Sequence, residues 1–513
     1  MLRSETYPGP PGEIIHLQTH ISHVFLAGDL VYKIKKPLDL GFLNFSTLAG
    51  RHYFCRQEVL LNRRLTTDLY LKVVRIASQN GRIRIGGRGE ALEYAVQMRR
   101  MPQERMMDRL LAAGQVNKNE IGSIVKKLVP FYQKARTGRG IDPFGRYEII
   151  SKNTEENFFQ TQAYVGGLIS SRMFNRIKAG TRGFLKRNRA LFERRVQEGR
   201  IRDGHGDLHS GNICLDREIQ IYDCIEFNHR FRYADIACDL AFLSMDLDFY
   251  GYPEFAEFLI QEYIRLSGDR AVTRLIDFYQ AYRAYVRAKV HSFSSEDSEL
   301  PRQERKDHIQ KARRYYQLAD HYTGRLSPPR LIVVFGLMGT GKTTLAKALA
   351  HKTGWPLLSS DEIRKTLAGI TPTTRQWESF EQGIYSEKMS RKTYQKMRFE
   401  AAKRLNQGES VILDGSYKRQ SERLALVALA EKTNAEIHFL ECRGPLNEIQ
   451  RRLAQREHQA DAVSDGRRAI FNQQRQDFDP VEEPVKSKCL LIRSDQVMEP
   501  LISKLIRKLE NND

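Results

Sequence analysis

One segment in the second half of the chain has the residue types and the spacing that bind a phosphate chain. Residues 336–344 read Gly-Leu-Met-Gly-Thr-Gly-Lys-Thr-Thr, with three glycines. The glycines allow backbone N–H groups to curl around an anion, and the helix that follows adds the positive end of its dipole. Lys342 would reach the outer phosphates, and the Thr343 hydroxyl would hold Mg²⁺. The segment is predicted to be a P-loop that binds ATP through Gly336, Gly339, Thr340, Gly341, Lys342, Thr343 and Thr344, with Lys342 also catalytic.

The flanking residues predict the elements that position this loop. It follows the apolar run 331–335 and precedes the helical pattern 345–350, so a buried strand leads into a helix. Apolar stretches at 355–358, 410–413, 435–440 and 489–492 alternate with further helical patterns. Such an alternation predicts a parallel sheet with helices on both faces.

Polar residues beyond these predicted strands are candidates for metal binding and for the acceptor. Asp414 follows the strand 410–413 and is a predicted Mg²⁺ partner, with surface capping as the alternative. Asp361 could act catalytically by orienting a hydroxyl, and Arg364 could clamp an anionic group. The alternative is that Ser360 or Asp361 only caps the next helix. Arg452 and Arg456 share a helix face ahead of residues 458–466. They are predicted catalytic residues of a closing lid, and a solvated basic face is the alternative.

The first half contains a second set of residues suited to phosphoryl transfer. Residues 204–213 read Gly-His-Gly-Asp-Leu-His-Ser-Gly-Asn-Ile, and Asp223 follows in Ile-Tyr-Asp. A carboxylate can orient an attacking hydroxyl and accept its proton, while an amide and a second carboxylate hold Mg²⁺. Asp207 is therefore the predicted base, with Asn212 and Asp223 as metal ligands. His205 and His209 are predicted to support the loop structurally.

The N-terminal residues predict a small antiparallel sheet that supplies a phosphate-binding lysine. A hairpin over 21–36 places Lys33 and Lys35 on one strand face, and a helix over 46–65 contains Glu58. Further strands are predicted near 71–77, 82–85 and 93–98. A strand lysine paired with a helix glutamate holds the α- and β-phosphates of ATP in protein-kinase-like folds. Lys33 is the first choice for this lysine, Lys35 is the second, and Glu58 is the partner.

These residues resemble those of the aminoglycoside phosphotransferase family, whose members carry an H-G-D-x-x-x-x-N loop and then an I-D-x-x-E-F-like strand. Residues 221–227 here read Ile-Tyr-Asp-Cys-Ile-Glu-Phe. The resemblance implies a two-lobed protein-kinase-like fold with a helical C-terminal lobe. It also implies that Asp235 and Asp239 anchor the catalytic loop. It does not imply an antibiotic substrate, since no acidic cluster for a polycationic aminoglycoside stands out.

The second half resembles the P-loop kinase branch that includes gluconate kinase, shikimate kinase, polynucleotide kinase and the zeta-toxin-like proteins, often described as an AAA-type ATP-binding domain. Together the two halves resemble a bacterial group of fused proteins, aminoglycoside phosphotransferase-like plus ATP-binding. The predicted fold class is α/β and α+β, with an N-terminal two-lobed protein-kinase-like domain followed by a P-loop NTPase parallel-sheet domain. The predicted boundaries are 1–292, a helical connector at 293–328, and 329–513.

The composition bears on the cellular location, on cysteine-based sites and on the kind of partner. The 513 residues include six scattered cysteines without a C-x-x-C pair, which favours neither a zinc site nor a disulfide framework. No signal core is present, and no apolar run approaches the roughly 20 residues that span a bilayer, so a cytoplasmic protein without membrane contact is predicted. The net charge of +21 is compatible with a nucleic-acid partner, although a solvated basic surface explains it equally.

Three functional classes fit these observations. The first is an ATP-dependent phosphotransferase with two ATP·Mg²⁺ sites that transfers the γ-phosphoryl group to a hydroxyl of an unidentified small molecule. The second is a nucleic-acid end kinase, which only the net charge supports. The third is a regulatory protein that binds ATP with negligible transfer.

Overall fold

The computed structural model describes residues 1–79, 81–371, 382–406, 408–457, 468–493 and 498–511. The chain divides into unit 1, Met1–Ser327, and unit 2, Pro328–Asp513. The predicted connector at 293–328 contributes its helix to unit 1. Across the described ranges, every helix is either too short or too polar to cross a bilayer.

A six-stranded antiparallel sheet and one helix begin unit 1. They are β1 (Ile14–Gln18), β2 (Ser22–Ala27), β3 (Leu30–Lys35), α1 (Leu48–Asn62), β4 (Tyr70–Gln79), β5 (Arg82–Ile85) and β6 (Ala91–Arg99). The spatial order of the strands is β1-β2-β3-β6-β4-β5. The predicted hairpin turns at Gly28, whose φ of +62° suits glycine. Val59 of α1 packs against Val96 of β6, and Glu58 is consequently buried against the sheet.

Helices form the rest of unit 1, together with short strand pairs. The helices are α2 (Met107–Ala112), α3 (Lys118–Lys134), α4 (Tyr147–Gln160), α5 (Ser171–Arg187), α6 (Arg189–Gln197), α7 (His229–Arg232), α8 (Ile236–Phe249), α9 (Pro253–Ser267), α10 (Thr273–Ser295) and α11 (Arg302–Gly324). α10 and α11 share an apolar core with the end of α8, in which Tyr285, Tyr315 and Tyr316 are buried. The helix of the predicted connector therefore completes the core of unit 1.

Four short strands bracket the segment that contains Asp207. They are β7 (Ile201–Asp203), β8 (Ile213–Leu215), β9 (Ile219–Ile221) and β10 (Tyr233–Asp235). β7 pairs with β10, and β8 pairs with β9, both antiparallel. The loop 204–212 leaves β7 and enters β8, while Asp223 follows β9. The two pairs therefore fix both ends of the loop and the strand that leads into Asp223.

Unit 2 is a parallel sheet with helices on both faces. Its elements are β11 (Arg330–Phe335), α12 (Lys342–Thr353), β12 (Leu357–Ser359), α13 (Ser360–Leu367), α14 (Glu387–Asn406), β13 (Val411–Asp414), α15 (Gln420–Lys432), β14 (Glu436–Arg443), α16 (Leu446–Glu457), α17 (Arg468–Gln476), β15 (Cys489–Arg493) and α18 (Met498–Asn511). The strand order is β12-β13-β11-β14-β15. Alternate residues of β11 enter two separate cores, Leu331 and Val333 on one face and Ile332 and Val334 on the other. Burial of both faces explains the continuous apolar run.

Candidate active sites

Lys33 lies at the centre of a charge network in unit 1. Its Nζ is 2.9 Å from Glu58 Oε1 and donates to Asp223 Oδ1 at 2.8 Å. Lys35 Nζ donates to Glu58 Oε2 at 2.7 Å and also to Glu226. The side chain of Lys33 is 15% exposed and that of Lys35 only 1%. Lys33 is therefore the lysine that a ligand can reach, while the buried Lys35 stabilises the charges of the Glu58 and Glu226 carboxylates.

The charges in this network perturb one another strongly. Burial alone would lower the pKa of Lys33, but the carboxylates of Asp223 and Glu58 raise it well above its ordinary value. Burial would raise the pKa of Glu58, but Lys33 and Lys35 lower it. Burial raises the pKa of Glu226 in spite of the Lys35 ammonium. Two lysines thus face three carboxylates, so the network has one acidic group more than it has lysines.

The loop 204–212 brings Asp207 and Asn212 together. Asn212 Nδ2 donates to Asp207 O at 2.9 Å and to Asp207 Oδ2 at 3.0 Å. His209 Nε2 lies 3.4 Å from the same carboxylate oxygen. Burial would raise the pKa of Asp207, but His209 and, beyond it, Arg287 lower it well below its ordinary value. Asp207 is therefore an oriented carboxylate that stays ionised at neutral pH.

Asp239 holds the main chain of this loop, in the place expected for an anchor. Its Oδ2 accepts from His205 N at 2.7 Å and its Oδ1 accepts from Gly206 N at 2.9 Å. A Cβ on Gly204 would lie 2.5 Å from Asp239 Oδ2, so glycine permits the close approach. The buried His205 ring contacts Tyr222 O at 3.0 Å through Nε2, which matches its predicted structural role.

Asp235 does not anchor the loop, and the expectation for this residue was wrong. Its carboxylate accepts two bonds from Arg195, at 2.8 and 2.6 Å, and Arg195 also donates to Asp269. Both oxygens of the Asp235 carboxylate are therefore occupied by the buried Arg195 guanidinium, in a bidentate charge-assisted pair. Asp246 is the second anchor, since it accepts from Ser210 N at 2.8 Å. Asp246 was not predicted, although its position two helical turns after Asp239 in an apolar helix indicates such a role.

The predicted metal ligands Asn212 and Asp223 lie on neighbouring segments, because Tyr222 N donates to Asn212 O at 3.0 Å. Asp223 has a φ of +62°, and 43% of its side chain is exposed. The amide oxygen of Asn212 accepts no hydrogen bond from the described residues. A carboxylate and an amide oxygen suit Mg²⁺, which takes its remaining ligands from phosphates and water. In the described part of the chain no three His, Cys, Asp or Glu side chains group as a metal site.

The P-loop of unit 2 joins β11 to α12. Gly341, at φ +85°, directly precedes Lys342 at the start of the helix. Gly336 has a φ of +134°, and a Cβ there would lie 2.6 Å from Cys442 O. Lys342 Nζ and Thr340 Oγ1 both donate to Leu337 O, each at 2.7 Å. The hydroxyl of Thr340 therefore has an internal role, and its backbone N–H is the group left for a ligand. Gly339 has a φ of +75°, Thr343 is half-buried and Thr344 is exposed.

Asp414 ends β13 directly beside β11, where it is paired in register with Val334. Its side chain is buried, and among the described residues its Oδ1 has no hydrogen-bond partner. Burial raises the pKa of Asp414 to about 6, while Lys342 and Thr343 act to lower it. A buried carboxylate with an orphaned oxygen beside the Thr343 hydroxyl fits a divalent cation. Surface capping does not account for it, because the residue is not at the surface.

Asp361 and Arg364 lie on α13 but have different surroundings. Asp361 is half-buried and close enough to Asp414 that its charge acts to raise the pKa of that group. Arg364 is buried and donates to Ile384 O at 3.2 Å and to Ser390 Oγ at 3.0 Å. The prediction that Arg364 clamps an anionic group was wrong, because its guanidinium fastens α13 to Ile384 and to Ser390 of α14.

The predicted lid residues begin in α16. Arg452 Nε donates to Glu448 Oε1 at 2.8 Å, one turn earlier. Arg456 is in the same helix, but its side chain lies outside the described residues, as do residues 458–466.

α16 and α17 also contact the P-loop, which the sequence did not indicate. Ile449, Leu453 and Phe471 form an apolar cluster against Leu337 and Met338. Gln474 Oε1 of α17 accepts from Met338 N at 2.9 Å. One main-chain N–H of the P-loop is therefore held by α17.

Comparisons with known proteins found a family model and solved structures that are similar to part of the chain. A family model described as an AAA domain matches residues 331–481. A sugar kinase from Janibacter sp. is 21% identical, covering 36% of this chain and 95% of that chain, with a TM-score of 0.27. A gluconokinase from Sinorhizobium meliloti is 17% identical, covering 36% of this chain and 98% of that chain, with a TM-score of 0.25.

The match to two mycobacterial proteins extends over most of the chain. Uncharacterised proteins of Mycobacterium tuberculosis and Mycobacterium bovis are each 33% identical to it over 442 residues, which cover 86% of this chain and 85% of the relative. The chain therefore belongs to the same protein family as these mycobacterial proteins, and residues 331–481 of its unit 2 match the model of an AAA domain.

Proposed function

We propose that the protein is an ATP-dependent phosphotransferase with two ATP·Mg²⁺ sites, one in each unit. Each site would transfer the γ-phosphoryl group to a hydroxyl of a small molecule. The observation that carries the proposal is common to both units. In each, a lysine at a phosphate-binding position lies close to a carboxylate with the environment of a metal ligand, Lys33 with Asp223 and Lys342 with Asp414.

In unit 2, the P-loop N–H groups and Lys342 would bind the β- and γ-phosphates of ATP. Thr343 and Asp414 would hold Mg²⁺, which when bound neutralises part of the phosphate charge. The elevated pKa of Asp414 supports this role, since the buried carboxylate needs a cation to favour its charged form. Asp361 would orient the acceptor hydroxyl from α13, and Arg452 and Arg456 would close over the nucleotide.

In unit 1, Lys33 would bind the α- and β-phosphates, held by Glu58 as in kinase-like folds, and Asn212 and Asp223 would hold Mg²⁺. Asp207 would accept a hydrogen bond from the acceptor hydroxyl. Its low pKa makes it a weak base, so its main effect is orientation, and the proton moves to it late in a loose transition state. The six-stranded sheet followed by a helical region supports an aminoglycoside phosphotransferase-like fold for this unit.

The test is transfer of label from γ-labelled ATP to a cytoplasmic metabolite extract. The wild type, Asp207→Asn and Lys342→Ala are compared in parallel, with a 5′-hydroxyl oligonucleotide as a separate acceptor. We expect labelled small molecules with the wild type and loss of a different product in each variant. Loss of every product in either single variant would mean that the sites are coupled. Nucleotide binding without transfer to any acceptor would contradict the proposal and favour a regulatory role, and labelling of the oligonucleotide alone would favour an end kinase.

A further inference from the structure

Two histidines of the loop 204–212 bind the main chain in the same way. His205 Nδ1 accepts from Asp207 N at 3.3 Å, and His209 Nδ1 accepts from Gly211 N at 3.1 Å, in each case the N–H two residues later. A ring nitrogen that accepts a hydrogen bond carries no proton, so in both rings the proton is on Nε2. Each imidazole is therefore neutral and has one N–H group left to donate.

The groups that these two N–H groups face are different. His205 Nε2 lies 3.0 Å from the main-chain oxygen of Tyr222, so this ring links two segments of backbone. His209 Nε2 lies 3.4 Å from Oδ2 of Asp207, the predicted catalytic carboxylate. Contacts between catalytic groups are often this long without substrate and shorten when it binds. Support of the loop thus accounts for the His205 ring, whereas the His209 ring also reaches the carboxylate.

The His209 ring is held in place by packing and by the main chain. Its centre lies 5.4 Å from that of Phe242, a buried residue of α8. Glycine at position 211 permits the close approach of its N–H, since a Cβ there would lie 2.9 Å from His209 Cε1 and 3.1 Å from Nδ1. Only 13% of the His209 side chain is exposed. The direction of Nε2 is therefore fixed by the fold.

The two carboxylate oxygens of Asp207 have different surroundings. Asn212 Nδ2 donates to Oδ2 at 3.0 Å, and the same oxygen faces His209. Oδ1 accepts no hydrogen bond from any residue in the described ranges. Because the side chain of Asp207 is 34% exposed, its carboxylate is open to a ligand, and Oδ1 is the oxygen with unused accepting capacity.

We propose that His209 is a positioning residue for phosphoryl transfer by unit 1, and that Oδ1 of Asp207 accepts the hydrogen bond of the acceptor hydroxyl. The inference rests on the proposed function of this unit. His209 Nε2 and Asn212 Nδ2 hold Oδ2 and thereby set the direction of Oδ1. During transfer the hydroxyl oxygen bonds to the γ-phosphorus, the bond to the ADP oxygen breaks, and the hydroxyl proton moves to Oδ1 and later to water. His209 neither gains nor loses a proton, because its one unprotonated nitrogen holds Gly211 N.

Two substitutions of His209 separate the roles of its ring nitrogens. In His209→Asn the amide oxygen replaces Nδ1 and can still accept from Gly211 N, whereas in His209→Gln the amide nitrogen replaces Nε2 and can still donate to Asp207. The assay is hydrolysis of Mg·ATP, with water as the acceptor, by the full chain carrying Lys342→Ala. We expect His209→Asn to lower kcat about tenfold or more with KM for ATP within about twofold, and His209→Gln to keep kcat within about threefold. His321→Asn, at an exposed histidine of α11, is the control and should change neither constant.

Equal values of kcat in His209→Asn and His209→Gln would show that the ring only supports the loop, and would overturn the inference. An effect confined to KM would overturn it as well. The proposed function fails separately: if the parent does not hydrolyse ATP, or if hydrolysis persists after Asp207→Asn, phosphoryl transfer by unit 1 is rejected, and the positioning role of His209 with it.

A second measurement needs neither turnover nor a substituted His209. In ¹⁵N NMR spectra of the histidine-labelled parent at neutral pH, with the His209 ring assigned through its backbone, protonated and unprotonated ring nitrogens are distinguished. We expect a protonated Nε2 and an unprotonated Nδ1. A proton on Nδ1, in either the other neutral form or the charged ring, would overturn the inference even if the His209 variants fail to fold.

Discussion

The two candidate phosphate sites hold their lysines in opposite ways. Lys342 Nζ donates to a main-chain oxygen only five residues earlier, that of Leu337. Lys33 Nζ donates to the carboxylate of Asp223, 190 residues later, and is also paired with Glu58 of α1. Lys342 thus has a hydrogen bond within its own loop, whereas Lys33 is held by contacts between distant parts of the chain. Disrupting the fold of unit 1 should therefore damage its site more than an equivalent change would in unit 2.

The largest expected effect is on the stability of unit 1. Glu58→Gln leaves Lys33 and Lys35 without their shared carboxylate, and we expect its free energy of unfolding to fall by about 3–5 kcal/mol. Both tryptophans of the chain are in unit 2, so tryptophan fluorescence isolates unit 2 during urea unfolding. Circular dichroism sums both units, and the transition that fluorescence does not show belongs to unit 1. Glu155→Gln, which removes an exposed pair with Arg182, should cost at most about 1 kcal/mol. Equal losses of unfolding free energy in Glu58→Gln and Glu155→Gln would contradict a stabilising role for the buried network.

The second-largest expected effect is on ATP turnover by unit 2, measured without a contribution from unit 1. Lys342→Ala should lower ATP turnover by unit 2 about 100-fold or more, because the charge on the transferred phosphoryl group loses a direct donor. Lys347→Ala, an exposed lysine on the same helix, should leave turnover unchanged. Turnover is measured in an Asp207→Asn background, which silences the proposed site of unit 1. A similar loss of turnover in Lys342→Ala and Lys347→Ala would show that Lys342 has no specific role in the site.

The pH dependence of unit 2 tests Asp414. Its pKa of about 6 exceeds its ordinary value of 3.8, so the folded state binds the proton more tightly. Without nucleotide, the stability of unit 2 should therefore rise as the pH falls from about 7 towards 4. Asp414→Asn should raise the free energy of unfolding of unit 2 by about 1–3 kcal/mol at pH 8, and this gain should shrink below pH 6. The substitution should also abolish the stabilisation of unit 2 by Mg²⁺ with AMPPNP. Tryptophan fluorescence reads both effects. Glu409→Gln, an exposed carboxylate of unit 2, is the control, and the same gain there would refute the assignment.

The smallest effect concerns the contact between α17 and the P-loop. Gln474→Ala removes the acceptor for Met338 N, and we expect unit 2 without nucleotide to lose about 0.5–1.5 kcal/mol. Gln473→Ala, its exposed neighbour, should be neutral. Thermal unfolding followed by tryptophan fluorescence makes the comparison. No difference between the two variants would show that the contact does not stabilise the loop.

The same contrast explains what could be predicted from the sequence. The P-loop, its flanking strand and helix, and the β2–β3 hairpin were predicted correctly, because glycine positions and apolar periodicity act over a few residues. β1 was missed because its side chains are largely exposed and lack the apolar alternation of a half-buried strand. The partner of Asp235 and the burial of Arg364 depend on residues that are far away or on packing, which local patterns do not contain.

Two nucleotide sites in one chain are the basis of the predictions above. The most direct measurement is the number of AMPPNP molecules bound per chain with Mg²⁺, by calorimetry of the full-length protein. We predict two for the wild type, one after Lys342→Ala, one after Asp223→Asn, and none when both substitutions are combined. A wild type that binds one molecule, and none after Lys342→Ala, would contradict the account.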